Sequence, residues 1–295
     1  MGEELDQGVG MRLLRGLPMG ILALGLLSLL LTVAGRFYFA WPLEWMEGAI
    51  LQHALRLQQG EPIYGAPSAD FIPFIYPPLG YLPMAAMAAL LGPTLVAARL
   101  PSLLCLGATV YLVGRAATRA GGDIRAGALG AGLFALGSGY GVVFLDLARV
   151  DALLLVLLVA GSERLQAGRA RTSLCLFLLS CLVKQQGALF LFGASLWLLL
   201  DRRARRERLL PIAVAWGLLA LGYGWLHLAT SGWSTVYSLK LPLSHGVIWK
   251  LLPLYLLYDV LLLLPVLSLA AFGELWRNRG RLRALDAMLL CALAA

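Results

Sequence analysis

The residues of this chain that could do chemistry are acids and cations set in otherwise apolar sequence. Glu44 and Glu47 stand three apart in WPLEWMEG. That spacing puts both carboxylates on one side of a helix beginning near Pro42. Asp146, Arg149 and Asp151 follow in FLDLARVDALLLV, and Lys184 in CLVKQQGALF. Tyr76 lies in FIPFIYPPLGYLP, and Lys240 and His245 in SLKLPLSHGVIW. Carboxylates can move a proton, and arginine or lysine can meet developing negative charge. Each group also has a plainer reading. Glu44 and Glu47 suit the dipole of a helix start. Asp146, Arg149 and Asp151 could be an internal ion pair at a helix end, and Lys184 could snorkel to an interface. His245 reads equally as a solvated loop histidine, and Asp259 as a core polar group bonded to Tyr255 or Tyr258. Charges inside apolar segments are costly to keep, which makes them candidates.

The elements that hold these groups are membrane elements. Sixty per cent of the 295 residues are hydrophobic, only 14% are charged, and mean hydropathy is +0.80. One water-facing fold cannot hide that many apolar side chains. The net charge of +8 sits in clusters at helix ends with no continuous basic stripe, which excludes a nucleic-acid partner. Cys105, Cys175, Cys181 and Cys291 lie in apolar runs without a CxxC and are expected as buried thiols. No cofactor is expected, and no motif supports a divalent metal. The first apolar run follows Arg12 and Arg15 and is longer than the core of a signal peptide, so it is expected as a retained membrane helix.

Most of the 24 Lys and Arg residues fall in five groups: Arg12/Arg15, Arg115/Arg119/Arg125, Arg164/Arg169/Arg171, the arginines of 202–208, and those of 277–283. Positive loops stay cytoplasmic, so the chain between two groups crosses an even number of times. This predicts an all-α, polytopic protein of about eight to nine membrane helices in one domain, 1–295, with a cytoplasmic N-terminus in the plasma (inner) membrane. Helix 17–38 leads out and helix 94–114 back, around a long external loop of about 40–93. In that loop, helix 48–58 carries Ile50, Leu51, Ala54 and Leu57 on a face laid along the membrane. A juxtamembrane helix is expected at 79–91. A second hairpin turns near 137–146 and a third has its external loop near 231–250. Between 172 and 200 there is room only for a hairpin of short helices, broken at Lys184-Gln185-Gln186-Gly187. The last run, from Leu285, is half a span, so the chain is expected to end inside a membrane helix.

In order and topology these features resemble the GT-C superfamily of membrane glycosyltransferases, nearest the protein O-mannosyltransferase and lipid A aminoarabinose-transferase groups. WPLE and MEG resemble the acidic motif after the first helix, and GEPIY the turn that follows. YPPLGYLP and AARLPSLL resemble the approach to the second span. LARVDALLL resembles the segment with a second external acid, and CLVKQQGALFLF the short hairpin with its lysine. The acids differ from the usual adjacent pair, being glutamates separated by Trp45 and Met46, so either Glu44 or Glu47 can be the base. The lysine common before the proline segment is absent. The resemblance implies inverting transfer of a sugar from a polyprenyl-phosphate donor to a glycan, lipid or protein acceptor on the external face. It implies Glu47 or Glu44 as catalytic base and Asp151 as an orienting acid. Arg149 and Lys184, with Asp146, Tyr76, His245 and Lys240 behind them, are implied as the donor site. A transporter or flippase using the same charges as a path is the alternative. Transporters often carry repeats or paired broken helices, and here there is one broken hairpin and no repeat. A non-catalytic membrane fragment is the third reading.

Overall fold

The computed structural model describes residues 2–140, 144–200 and 205–244, and beyond these 246, 248–255, 257, 258, 272, 273, 276 and 288. His245, Asp259 and most of the run from 285 lie outside the described residues. The described residues are helical and contain no strand. In chain order the main elements are α1 (Gly2–Arg36), α2 (Trp45–Gln58), a 3-10 turn at Pro78–Gly80, α3 (Leu82–Leu91), α4 (Leu95–Gly121) and α5 (Ile124–Tyr140). There follow α6 (Asp151–Gln166), α7 (Ala170–Val183), α8 (Gly187–Leu200) and α9 (Arg205–Ala229). A helical segment, 233–244, comes next and contains a π-helical stretch at Val236–Lys240.

Among the described residues, three stretches are long and apolar enough to cross a membrane: Gly16–Arg36, Leu95–Gly121 and Arg206–Ala229. At about 1.5 Å rise per residue they exceed a hydrocarbon core of roughly 30 Å. The faces of α1 and α9 carry exposed Leu24, Leu30, Leu221 and Leu228, a surface suited to lipid and not to water. Between them pack shorter apolar helices. The short hairpin has the expected break, with α7 stopping at Val183 and α8 resuming at Gly187. Gly187 is required there, because a Cβ would lie 2.5 Å from the backbone of Ser180 and Cys181.

Local chemistry sets the ends. Glu44 caps α2, its extended backbone turning the carboxylate onto the Met46 N–H, and Thr94 caps α4 through the Ala97 N–H. Gly122 closes α4 in the left-handed region at φ 69°. The prolines of YPPLGYLP delay α3 to Leu82. The apolar face expected on α2 is present, but it does not lie on a membrane. Ile50 and Ala54 are buried against Tyr76, Tyr81, Met84 and Val183 of the chain itself, because 63–84 folds back over it. A second core joins α6, α7, α8 and α9 through Leu174, Phe177, Leu191 and Ile212. At the opposite ends of these helices, Arg115 and Arg119 of α4 both pair with Glu163 of α6. Cys181 is buried as expected, whereas Cys105 is only half-buried and Cys175 is exposed.

Candidate functional site

The site forms where α1 ends, α4 and α6 begin, and the α7–α8 break lies. Its foundation is Arg99, fully buried in the second turn of α4. Its Nε and one terminal nitrogen grip the two oxygens of Glu47, each at 2.8 Å. The remaining donors reach the carbonyls of Arg36, Phe37, Phe39 and Trp41 at 2.6–3.2 Å. One guanidinium thus closes the chain turn that leaves α1. Glu47 is equally enclosed: Oε1 also accepts from the Ala148 N–H at 2.9 Å, and Oε2 from the Leu43 N–H at 2.8 Å. Burial by itself would raise this carboxyl. The Arg99 hydrogen bonds and the two backbone N–H groups outweigh it and hold Glu47 below the usual carboxylate range.

The two glutamates do not share a helix face, contrary to the i, i+3 expectation. Glu44 stands outside the helix as its cap, whereas Glu47 points into the protein from the first turn. Glu44 instead meets Arg149, whose terminal nitrogen lies 3.2 Å from Oε2. Arg149 Nε is 2.9 Å from one oxygen of Asp151, and Lys184 Nζ is 2.8 Å from the other. Four groups from three places in the chain therefore alternate in sign, Glu44–Arg149–Asp151–Lys184. Tyr76 lies against this row, with its hydroxyl 3.4 Å from Arg149 and its ring 5.5 Å from Lys184 Nζ. Burial, with Asp151 nearby, pushes the Tyr76 phenol up to about 12, so it stays a hydrogen-bonding group at neutral pH. Ser102 of α4 fixes the Arg149 carbonyl at 3.1 Å. Gln185, beside Lys184, donates to the carbonyls of Ile75 and Ser238 and ties the break to both neighbouring segments.

Asp146 is near this row but makes a separate pair with Arg36 at 3.2 Å. Its second oxygen is buried without a hydrogen-bond partner among the described residues. Burial raises its carboxyl despite Arg36. Lys240 is exposed at the end of the π-helical stretch, and among the described residues no ion pair joins it to the row. His53 is a satisfied core histidine: Nδ1 is 2.7 Å from the Ala49 carbonyl, and Nε2 accepts from the Phe74 N–H. Among the described residues, no three His, Cys, Asp or Glu side chains converge as metal ligands would.

Arg99 and Gln185 were not singled out by sequence reasoning. A signal for Arg99 was present, since an arginine inside the apolar AARLPSLL carries the same cost as Arg149. Comparison with family models, with curated proteins and with solved structures returns no match. The row offers a carboxylate at one end, two cations spaced by a carboxylate, and a phenol beside them.

Proposed function

We propose that this protein is a membrane glycosyltransferase. It moves a sugar from a polyprenyl-phosphate donor to a hydroxyl acceptor, with inversion at the anomeric carbon. The observation that carries the reading is the row Glu44–Arg149–Asp151–Lys184, gathered at the helix ends opposite the arginine clusters. Glu44 takes the acceptor proton as its oxygen bonds to the anomeric carbon. The bond from that carbon to the phosphate oxygen breaks, and polyprenyl phosphate leaves. Arg149 and Lys184 meet the charge that grows on the leaving phosphate. Asp151 touches both and holds them apart at a fixed spacing. Glu47 acts through structure, because all its acceptor directions are engaged by Arg99 and two N–H groups.

Depth supports a lipid-borne donor. The 14-residue α7 spans about 21 Å from its basic end to Lys184, less than the roughly 30 Å of hydrocarbon. With the arginine clusters cytoplasmic, the row faces outward at the level of the outer leaflet, within reach of a lipid phosphate. On this reading the shorter helices bring the membrane helices to eight or nine, in the plasma membrane. The test is transfer of labelled sugar from polyprenyl-phosphate donors by purified protein in lipid, with Glu44→Gln beside the parent.

A further inference from the structure

At the basic end of the molecule, away from the proposed reaction, two hollows meet between α7 and α9. The first is a cleft of about 360 Å³ at the α6–α7 turn and the start of α9, lined by Arg169, Arg171, Glu207, Arg208 and Pro211. Arg169 and Arg171 are exposed there. The second is an apolar groove of about 470 Å³ running along the two helices. Its floor is buried Leu174 and Ala215, and its walls include Leu178, exposed Cys175 and exposed Val214 and Leu218. The two hollows share Arg171, Glu207 and Pro211, so the polar cleft opens directly into the groove.

We propose that this crevice binds one anionic glycerophospholipid. Its phosphate sits among Arg169, Arg171 and Arg208, and one acyl chain lies in the groove between α7 and α9. Charge complementarity selects the headgroup: the described lining carries Arg169, Arg171 and Arg208, the last also bonded to the Leu198 carbonyl, beside the carboxylate of Glu207, which favours a net-negative lipid, and arginine matches phosphate oxygens in a fork. The glycerol hydroxyls of phosphatidylglycerol suit the carboxylate of Glu207. Basic pockets between membrane helices are where anionic headgroups bind at the cytoplasmic side. The groove supplies what surface arginines lack, a shaped wall for the chain. Because α7 also carries Lys184 next to its far end, about 21 Å away, a lipid seated here braces the helix pair on which the short hairpin leans.

The experiment is native mass spectrometry of the purified full chain in mild detergent, offered phosphatidylglycerol and phosphatidylcholine of the same acyl chains in equal amounts. Phosphatidylglycerol is expected to stay bound in preference. Arg169→Gln/Arg171→Gln should weaken it by about fivefold per arginine. Val214→Trp, which fills the groove and leaves the arginines intact, should weaken it as well. Equal retention of the two lipids by the parent overturns the proposal. So does parental affinity in either variant that still elutes as a single folded species.

Discussion

Arg99 and Glu47, which are 52 residues apart, form a fully buried two-point pair, and Arg99 also donates to the carbonyls of Arg36, Phe37, Phe39 and Trp41 in the turn after α1. Removing one partner of such a pair leaves the other charge buried and uncompensated. Glu47→Gln should therefore destabilise the protein by about 3–5 kcal/mol. Thermal unfolding in detergent measures this, and Glu44→Gln, which keeps a capping oxygen for the Met46 N–H and leaves Arg149 paired with Asp151, should cost only about 1 kcal/mol. Equal midpoints for the two variants would contradict the division between a structural and a reacting glutamate.

His53 gives the fold a pH dependence. Burial depresses its value from 6.5 to about 4, so the folded state holds it neutral. Between these values the unfolded chain binds more protons than the folded one, and stability rises with pH. The contribution, on the order of 3 kcal/mol, is complete above pH 6.5 and is lost as the pH falls towards 4. Unfolding midpoints taken from pH 7.5 to 4.5 should fall steeply in the parent. A His53→Gln protein, less stable at pH 7.5, should show a shallower fall.

Much of this arrangement was legible in the sequence, and what was not has physical causes. The apolar face of α2 and the break after Val183 follow from spacing and from KQQG, both local signals. Lys184, Arg149 and Asp151 announced themselves as charges in apolar runs. The different fates of Glu44 and Glu47 were hidden, because a cap residue leaves helical geometry and no longer obeys the i, i+3 rule. Glu47 also depends on the Ala148 N–H, 101 residues away, which no periodicity encodes. The burial of α2 under 63–84 was missed because an amphipathic face does not say whether lipid or protein will cover it.

The crossing of α1 and α5 is built on glycines. A Cβ at Gly132 would stand 2.6–2.7 Å from the backbone of Ile21 and Leu22. Replacing a mid-helix glycine by alanine ordinarily stabilises a helix by about 1 kcal/mol. Here the sign should reverse: Gly132→Ala should lower the unfolding midpoint, and Gly130→Ala, facing the side chain of Ala117 at 2.7 Å, should lower it less.

Lys184 is the cation of the row that the α7–α8 break delivers. If it meets the leaving phosphate, Lys184→Gln should reduce kcat on the order of 10²-fold and weaken donor binding. Steady-state transfer with donor titration checks both. An unchanged kcat would leave the lysine only its pairing with Asp151.

Labelled transfer from polyprenyl-phosphate donors tests Glu44 as the base of a sugar transfer. The parent should transfer sugar. Glu44→Gln should remain folded and bind donor but lose about 10²–10⁴-fold in rate. Glu44→Gln with parental turnover would contradict the assignment of the base. A folded parent that neither binds nor uses any such donor would contradict the transferase reading itself.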